Sequence, residues 1–178
     1  MSRDANDSIE HRLNLIISQR LQDELRKKGY DVTLYDAPEL SNNAEIRQVY
    51  TRSNALRPDA FISIHNNAQG GSKWKSLGGT ASGPVGLYNT KSSDNKRLAM
   101  NVVDSEIAYR KEADGPNNRA SKLATSTVGV LSNALPSIPA CLIEVGFYDN
   151  IDDLYWMCTH LNGLAASLAR GIDYFFNK

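Results

Sequence analysis

The chain has 178 residues, with 20 Lys and Arg against 20 Asp and Glu and 41% hydrophobic residues. That length suits one domain with a real core, and the composition excludes a disordered, collagen-like or disulfide-built protein. A balanced charge, with a pI near 6.8, supplies no global field to draw in nucleic acid or an anionic membrane.

The longest uncharged stretch, Leu123 to Ile143, carries Ser126, Asn133, Pro136 and Pro139, whereas a membrane span needs about 20 predominantly apolar residues. No spanning segment is expected. Met1 to Ser8 is polar and lacks the apolar core of a secretory signal, so no export signal is expected there. Cys141 and Cys158 show no metal-finger spacing and are expected to be buried free thiols.

In chain order, Leu13, Ile16, Ile17, Leu21 and Leu25 predict an amphipathic helix from about Ile9 to Lys28. Asp7 or Ser8 would cap its start, and Gly29 would close it in a left-handed conformation. Tyr30 to Tyr35 alternates like a short strand. A second helix spans about Ala44 to Leu56, ending before Pro58. Phe61 to Ile64 reads as strand, and Asn66 to Pro84, rich in Gly, Ser, Asn and Gln, reads as a long loop holding Lys73 and Trp74.

Val85 to Tyr88 resumes as strand, Ser92 to Arg110 as helix, and Asp114 to Thr127 as a polar connection. Val128 to Leu131 and Cys141 to Val145 read as strands, the second dense enough for the sheet centre. Helices over about Ile151 to His160 and Leu161 to Phe176 finish the chain. The alternation predicts a single α/β domain over residues 1–178, with a mostly parallel, mixed central sheet of about five to six strands and helices on both faces.

The chain has no phosphate loop, no Gly-x-Gly-x-x-Gly, no Gly-x-Ser-x-Gly elbow and no His-Glu-x-x-His. Nucleotide use and serine hydrolysis lose support. Of three histidines, His65 ends a strand, where α/β sheets place catalytic groups or ligands, although a structural hydrogen-bonded role fits the position equally. His11 and His160 read as solvated helix residues. Glu10 opens the first helix, where the dipole alone would favour a carboxylate. Glu144 is harder to explain structurally: an acid inside the apolar run Cys141 to Phe147 is costly unless a partner, a metal or a reaction holds it.

The run Ala60 to Ala68 around His65, the run Pro139 to Asn150 around Glu144 with Asp152 and Asp153 behind it, and Glu10 to Leu25 together resemble the zinc-dependent N-acetylmuramoyl-L-alanine amidases of the type 3 class. Lesser matches extend the resemblance over nearly the whole chain. It implies hydrolysis of the amide joining N-acetylmuramic acid to the L-alanine of the peptidoglycan stem peptide. It further implies Glu10 and His65 as ligands of one zinc ion and Glu144 as catalytic acid and base. Asn67 would orient substrate or steady His65, or else cap its own loop.

A catalytic zinc usually takes three protein ligands, and the resemblance places the third, a His, on a strand and loop ahead of the Glu. None of the nine residues before Glu10 is His. Three readings compete: a start internal to a longer protein, a natural fragment with an incomplete site, or His11 recruited in its place. The last is awkward, because adjacent helical residues point about 100° apart. Without that first strand a neighbouring edge would be bared, at a cost in stability. Tyr35-Asp36 also departs from the Thr-Arg common in relatives.

The expected partner is peptidoglycan, glycan strand and stem peptide, with no nucleic acid or membrane, and the expected state is a monomer. The expected place of action is the cell wall, reached after release from the cytoplasm if the protein is a phage lysin. A non-catalytic peptidoglycan-binding domain, an inactive truncated amidase and a metallopeptidase remain the rival readings.

Overall fold

In the computed structural model the structure describes residues 5–36, 43–69, 78–118, 122–132 and 138–178. Lys73, Trp74 and most of the loop after β1 lie outside them. The elements are α1 (Ala5–Lys27), α2 (Asn43–Leu56), β1 (Phe61–Asn67), β2 (Val85–Tyr88), α3 (Ser93–Glu112), β3 (Leu123–Thr125), α4 (Gly129–Ser132), β4 (Ala140–Phe147), α5 (Ile151–Thr159) and α6 (Leu161–Asn177). No described helix is long and apolar enough to cross a membrane.

The sheet runs in the order β1-β4-β2-β3. β1 and β4 are parallel, β4 and β2 antiparallel, and β2 and β3 parallel. The α/β class and the mixed sheet agree with expectation, but the described residues hold four strands, not five to six. Two expected strands account for the difference.

Tyr30 to Tyr35 does alternate, with Tyr30, Val32 and Leu34 half-buried between exposed neighbours, yet it joins no ladder. Its Val32 carbonyl accepts instead from Gln22 Nε2 at 3.0 Å and Arg26 Nη2 at 3.1 Å, so side chains of α1 take the place of a neighbouring strand there. Val128 to Leu131 overlaps the helical turn α4. Ser126 Oγ accepts from the Val128 N–H, and Val128 O from the Leu131 N–H, which closes the turn before a strand can extend. Conversely, β3 lies inside the stretch read as a polar connection.

β4 explains the layering. Cys141, Ile143 and Val145 enter the main core with Leu13, Ile17 and Leu21 of α1, Leu98 and Val102 of α3, and Leu164 and Leu168 of α6. Ala140 and Leu142 point the other way, into a smaller cluster with Leu131, Phe61 and Leu87. Both faces of this strand are covered, as its unbroken apolar run requires.

The ends of the helices follow local chemistry. α1 starts at Ala5, so Asp7 and Ser8 lie inside it and not at its cap. It ends as expected: Gly29 takes φ +91° and the Tyr30 N–H donates back to Leu25 O, satisfying carbonyls of the last turn. Asn150 caps α5, its Oδ1 accepting from the N–H groups of Asp152 and Asp153. Of the cysteines, Cys141 is buried as expected, but Cys158 is exposed on the outer face of α5; both are free.

Candidate active site

β1 and β4 carry the site at their C-terminal ends. His65 stands in register with Glu144 across the parallel pair, so the two side chains leave the same face of the sheet as Leu142. α1 packs along β1, and Glu10 near its start reaches His65: Oε1 lies 3.3 Å from the ring Nδ1. One turn later, Asn14 Oδ1 accepts from Asn66 Nδ2 at 2.6 Å. Asn66 is 2% exposed, so this bond fixes the position of α1 on β1 and, through it, the meeting of Glu10 with His65.

Glu144 is the one residue of β4 that is not fully buried. Its Oε2 is nevertheless shut from solvent and has no hydrogen-bond partner among the described residues. Burial pushes the carboxyl up to about 7, while the charge of His65 draws it down and that of Glu10 pushes it further up. Burial acts to lower the His65 ring, but the hydrogen bond to Glu10 and the charges of Glu144 and Glu10 outweigh it and leave the ring above the ordinary histidine value. The result is one imidazole between two carboxylates, one of them poised near neutrality.

The other sequence candidates sit differently. Asn67, two residues beyond His65, folds its Oδ1 back to accept from the Ala68 N–H at 2.8 Å, which caps its own loop. His11 turns its Nε2 to Asp36 Oδ1 at 3.7 Å. His160 stacks on Trp156, ring centroids 4.7 Å apart, with Nδ1 2.9 Å from Trp156 O. Imidazole nitrogen and carboxylate oxygen are suitable zinc donors. Their number is short: among the described residues, no group of three or more His, Cys, Asp or Glu could hold a metal ion.

Sequence reasoning missed a second charged cluster beneath this one. Arg110 Nε donates to Glu106 Oε1 at 2.8 Å and Nη1 to Asp153 Oδ1 at 2.7 Å, and all three side chains are 0% exposed. Burial pushes Glu106 up to about 7, with Arg110 drawing it down and Asp153 pushing it up. The signal was present, since Val103, Glu106, Ile107 and Arg110 follow helical spacing on the buried side of α3. A charged pair on an apolar stripe marks an internal ion pair.

Residues 2–174 match the family model described as Amidase_3, N-acetylmuramoyl-L-alanine amidase. The chain belongs to that family. Solved amidase structures share its fold. The N-acetylmuramoyl-L-alanine amidase from Clostridium difficile 630 superposes with a TM-score of 0.74 at 24% identity, over 95% of this chain and 84% of that one. The catalytic domain of the CD27L endolysin targeting Clostridia difficile gives 0.71 at 24%, over 93% and 83%. The catalytic domain of CwlV from Bacillus (Paenibacillus) polymyxa gives 0.69 at 22%, over 94% and 85%. No curated protein matches the chain significantly. Within this amidase family, then, the Glu10, His65 and Glu144 cluster is the candidate for the hydrolytic centre.

Proposed function

We propose that this chain hydrolyses the amide between N-acetylmuramic acid and the L-alanine of the peptidoglycan stem peptide, acting at the cell wall. The observation that supports this most is the convergence of Glu10, His65 and Glu144 at the ends of two parallel strands, with one carboxyl held near 7.

An acid with that affinity for protons suits both halves of the reaction. As carboxylate, Glu144 takes the proton of a water placed between it and the amide carbonyl. As carboxylic acid, it returns that proton to the departing L-alanine nitrogen. Its partly closed setting keeps bulk water from competing for the proton. Asn67, on the same stretch of β1, is assigned to the substrate, through its side-chain amide.

Zinc is the cofactor this reading takes. Glu10 and His65 would hold it, and the ion would acidify a bound water and polarise the carbonyl. Their types suit zinc, whereas two donors fall one short of the usual three. That shortfall favours one second reading, a domain that grips peptidoglycan without cutting it.

The two readings separate on purified cell wall. The amidase releases stem peptides with free L-alanine amino ends, and elemental analysis finds zinc in the protein; the binding domain sediments with the wall and releases nothing. Glu144→Gln is expected to keep the fold and the metal content and to lose hydrolysis by at least about 10²-fold, the usual worth of acid–base catalysis. Undiminished release by that variant would remove Glu144 from the reaction.

A further inference from the structure

β4 spends one residue more than β1 at the point where the site is built. His65 is in register with Glu144 and Asn67 with Phe147, so Val145 and Gly146 together oppose Asn66. A bulge of this kind bends its strand and re-aims the side chains beside it. The residue immediately before it is Glu144.

Two of the three residues that follow Glu144, Val145 and Phe147, are hydrogen-bonded to the buried Arg110–Asp153 pair. The Val145 carbonyl accepts from Arg110 Nη2 at 2.9 Å. The Phe147 N–H donates to Asp153 Oδ2 at 2.9 Å. Between them, Gly146 packs against Met157 and the pair: a Cβ there would stand 2.6 Å from Met157 Sδ and 3.0 Å from both Arg110 Nη2 and Asp153 Oδ2. The same Asp153 oxygen accepts from the Gly83 N–H at 2.9 Å, in the turn that leads into β2. Val85 of β2 is the neighbour of Glu144 on the side away from His65. One carboxylate therefore ties the backbone just after Glu144 to the backbone just before its neighbour.

We propose that the Arg110–Asp153 pair is the positioning element for Glu144, fixing the bulge and with it the direction in which the carboxyl leaves β4 beside His65. This rests on the reading of Glu144 as the proton carrier. Stability alone is a weak reason for such a pair, because apolar side chains of similar volume often replace buried ion pairs without loss. Geometry is a stronger one. Arg110 also donates to Glu106 Oε1 and Pro116 O, so its planar fork serves four acceptors at once, which a lysine ammonium with three donors cannot do.

Arg110→Lys and Asp153→Asn in the full chain test this, together with Gly146→Ala, which keeps both charges and pushes on Met157 and on the pair from the strand. Amide hydrogen exchange is expected to quicken roughly tenfold or more over residues 145–148 while 140–143 and α6 keep their protection, the mark of a local and not a global opening. On purified peptidoglycan kcat is expected to fall by about 10²-fold, the cost of a misplacement near 1 Å, with KM unchanged. Exchange that quickens evenly over all elements would overturn the proposal, showing a stabiliser only. So would local loosening with unchanged kcat while Glu144→Gln is inactive. Full activity in Glu144→Gln would instead overturn the reading on which the proposal stands.

Discussion

Two charge clusters of the same make-up, two acids and one base, sit on either side of the C-terminal end of β4. In Glu106, Arg110 and Asp153 every side chain is fully buried, and the guanidinium meets four acceptors. In Glu10, His65 and Glu144 the side chains are partly open, the one hydrogen bond between them is long at 3.3 Å, and a buried carboxylate oxygen goes without a partner. The first arrangement is sealed from solvent, so its charges can do little but hold. The second leaves binding capacity unspent, which is what a ligand, a water or a reacting amide can use. The comparison teaches that an unsatisfied buried charge marks a reacting site only where its side chain also opens to solvent. Among the described residues Glu106 Oε2 lacks a hydrogen-bond partner as Glu144 Oε2 does, but its side chain has no exposure at all, whereas Glu144 is partly open.

The sharpest way to break that contrast is to remove a member of the sealed cluster. Asp153→Ala leaves Arg110 without one carboxylate and takes an acceptor from the Gly83 and Phe147 N–H groups. Breaking a buried pair in this way is expected to cost about 3 to 5 kcal/mol, read as a shift in urea midpoint at unchanged slope. Glu144→Gln, in the open cluster, is expected to move the midpoint little. Equal losses in both variants would erase the distinction between holding and reacting groups.

The next effect is in pH. Glu106 titrates near 7 in the fold against 4.5 ordinarily, so between those values the native state binds more protons than the unfolded chain. Stability from this group is full below about pH 4.5 and is lost as pH rises through 7, by roughly 3 kcal/mol. Glu106→Gln is expected to flatten that decline and to equal or exceed the parent at pH 8. Urea unfolding at pH 5 and pH 8 reads both statements. Glu144, also pushed up to about 7, leaves a decline of its own after the substitution, and a decline that the substitution does not reduce would place its origin outside Glu106.

These clusters also mark what a reader of sequence can see. α1, α3 and α6 follow from helical spacing and α1's terminal Gly29, and β4 from an unbroken apolar run, because in each the pattern lies in adjacent residues. Glu144 stood out for the same reason, as an acid where none belongs. Arg110 and Asp153 did not, since their pairing depends on two elements 43 positions apart. Val128 to Leu131 is as apolar as a strand, yet Ser126 turns it into a helical turn. β3 is only three residues long, too short to carry a period, and Tyr30 to Tyr35 carries the right period without a neighbour to pair among the described residues. Residue type alone predicts a buried thiol at Cys158, whereas helix α5 turns it outward.

The smallest expected effect decides how the open cluster is assembled. Glu10 is brought to His65 by α1, and the described hydrogen bond nearest to that contact is Asn14 to Asn66. Asn14→Ala leaves the buried Asn66 amide without that acceptor, which is expected to cost about 1 to 2 kcal/mol. That is less than the loss from Asp153→Ala, because α1 keeps Leu13, Ile17, Leu21 and Leu25 in the main core. Activity on cell wall is expected to suffer more than stability, since Glu10 lies one turn from the substituted position and a small rotation of α1 moves its carboxylate away from the ring. Wall hydrolysis measured beside urea midpoints separates the two quantities. A variant that loses stability by this amount with hydrolysis intact would show that Glu10 finds His65 without help from the Asn14 bond.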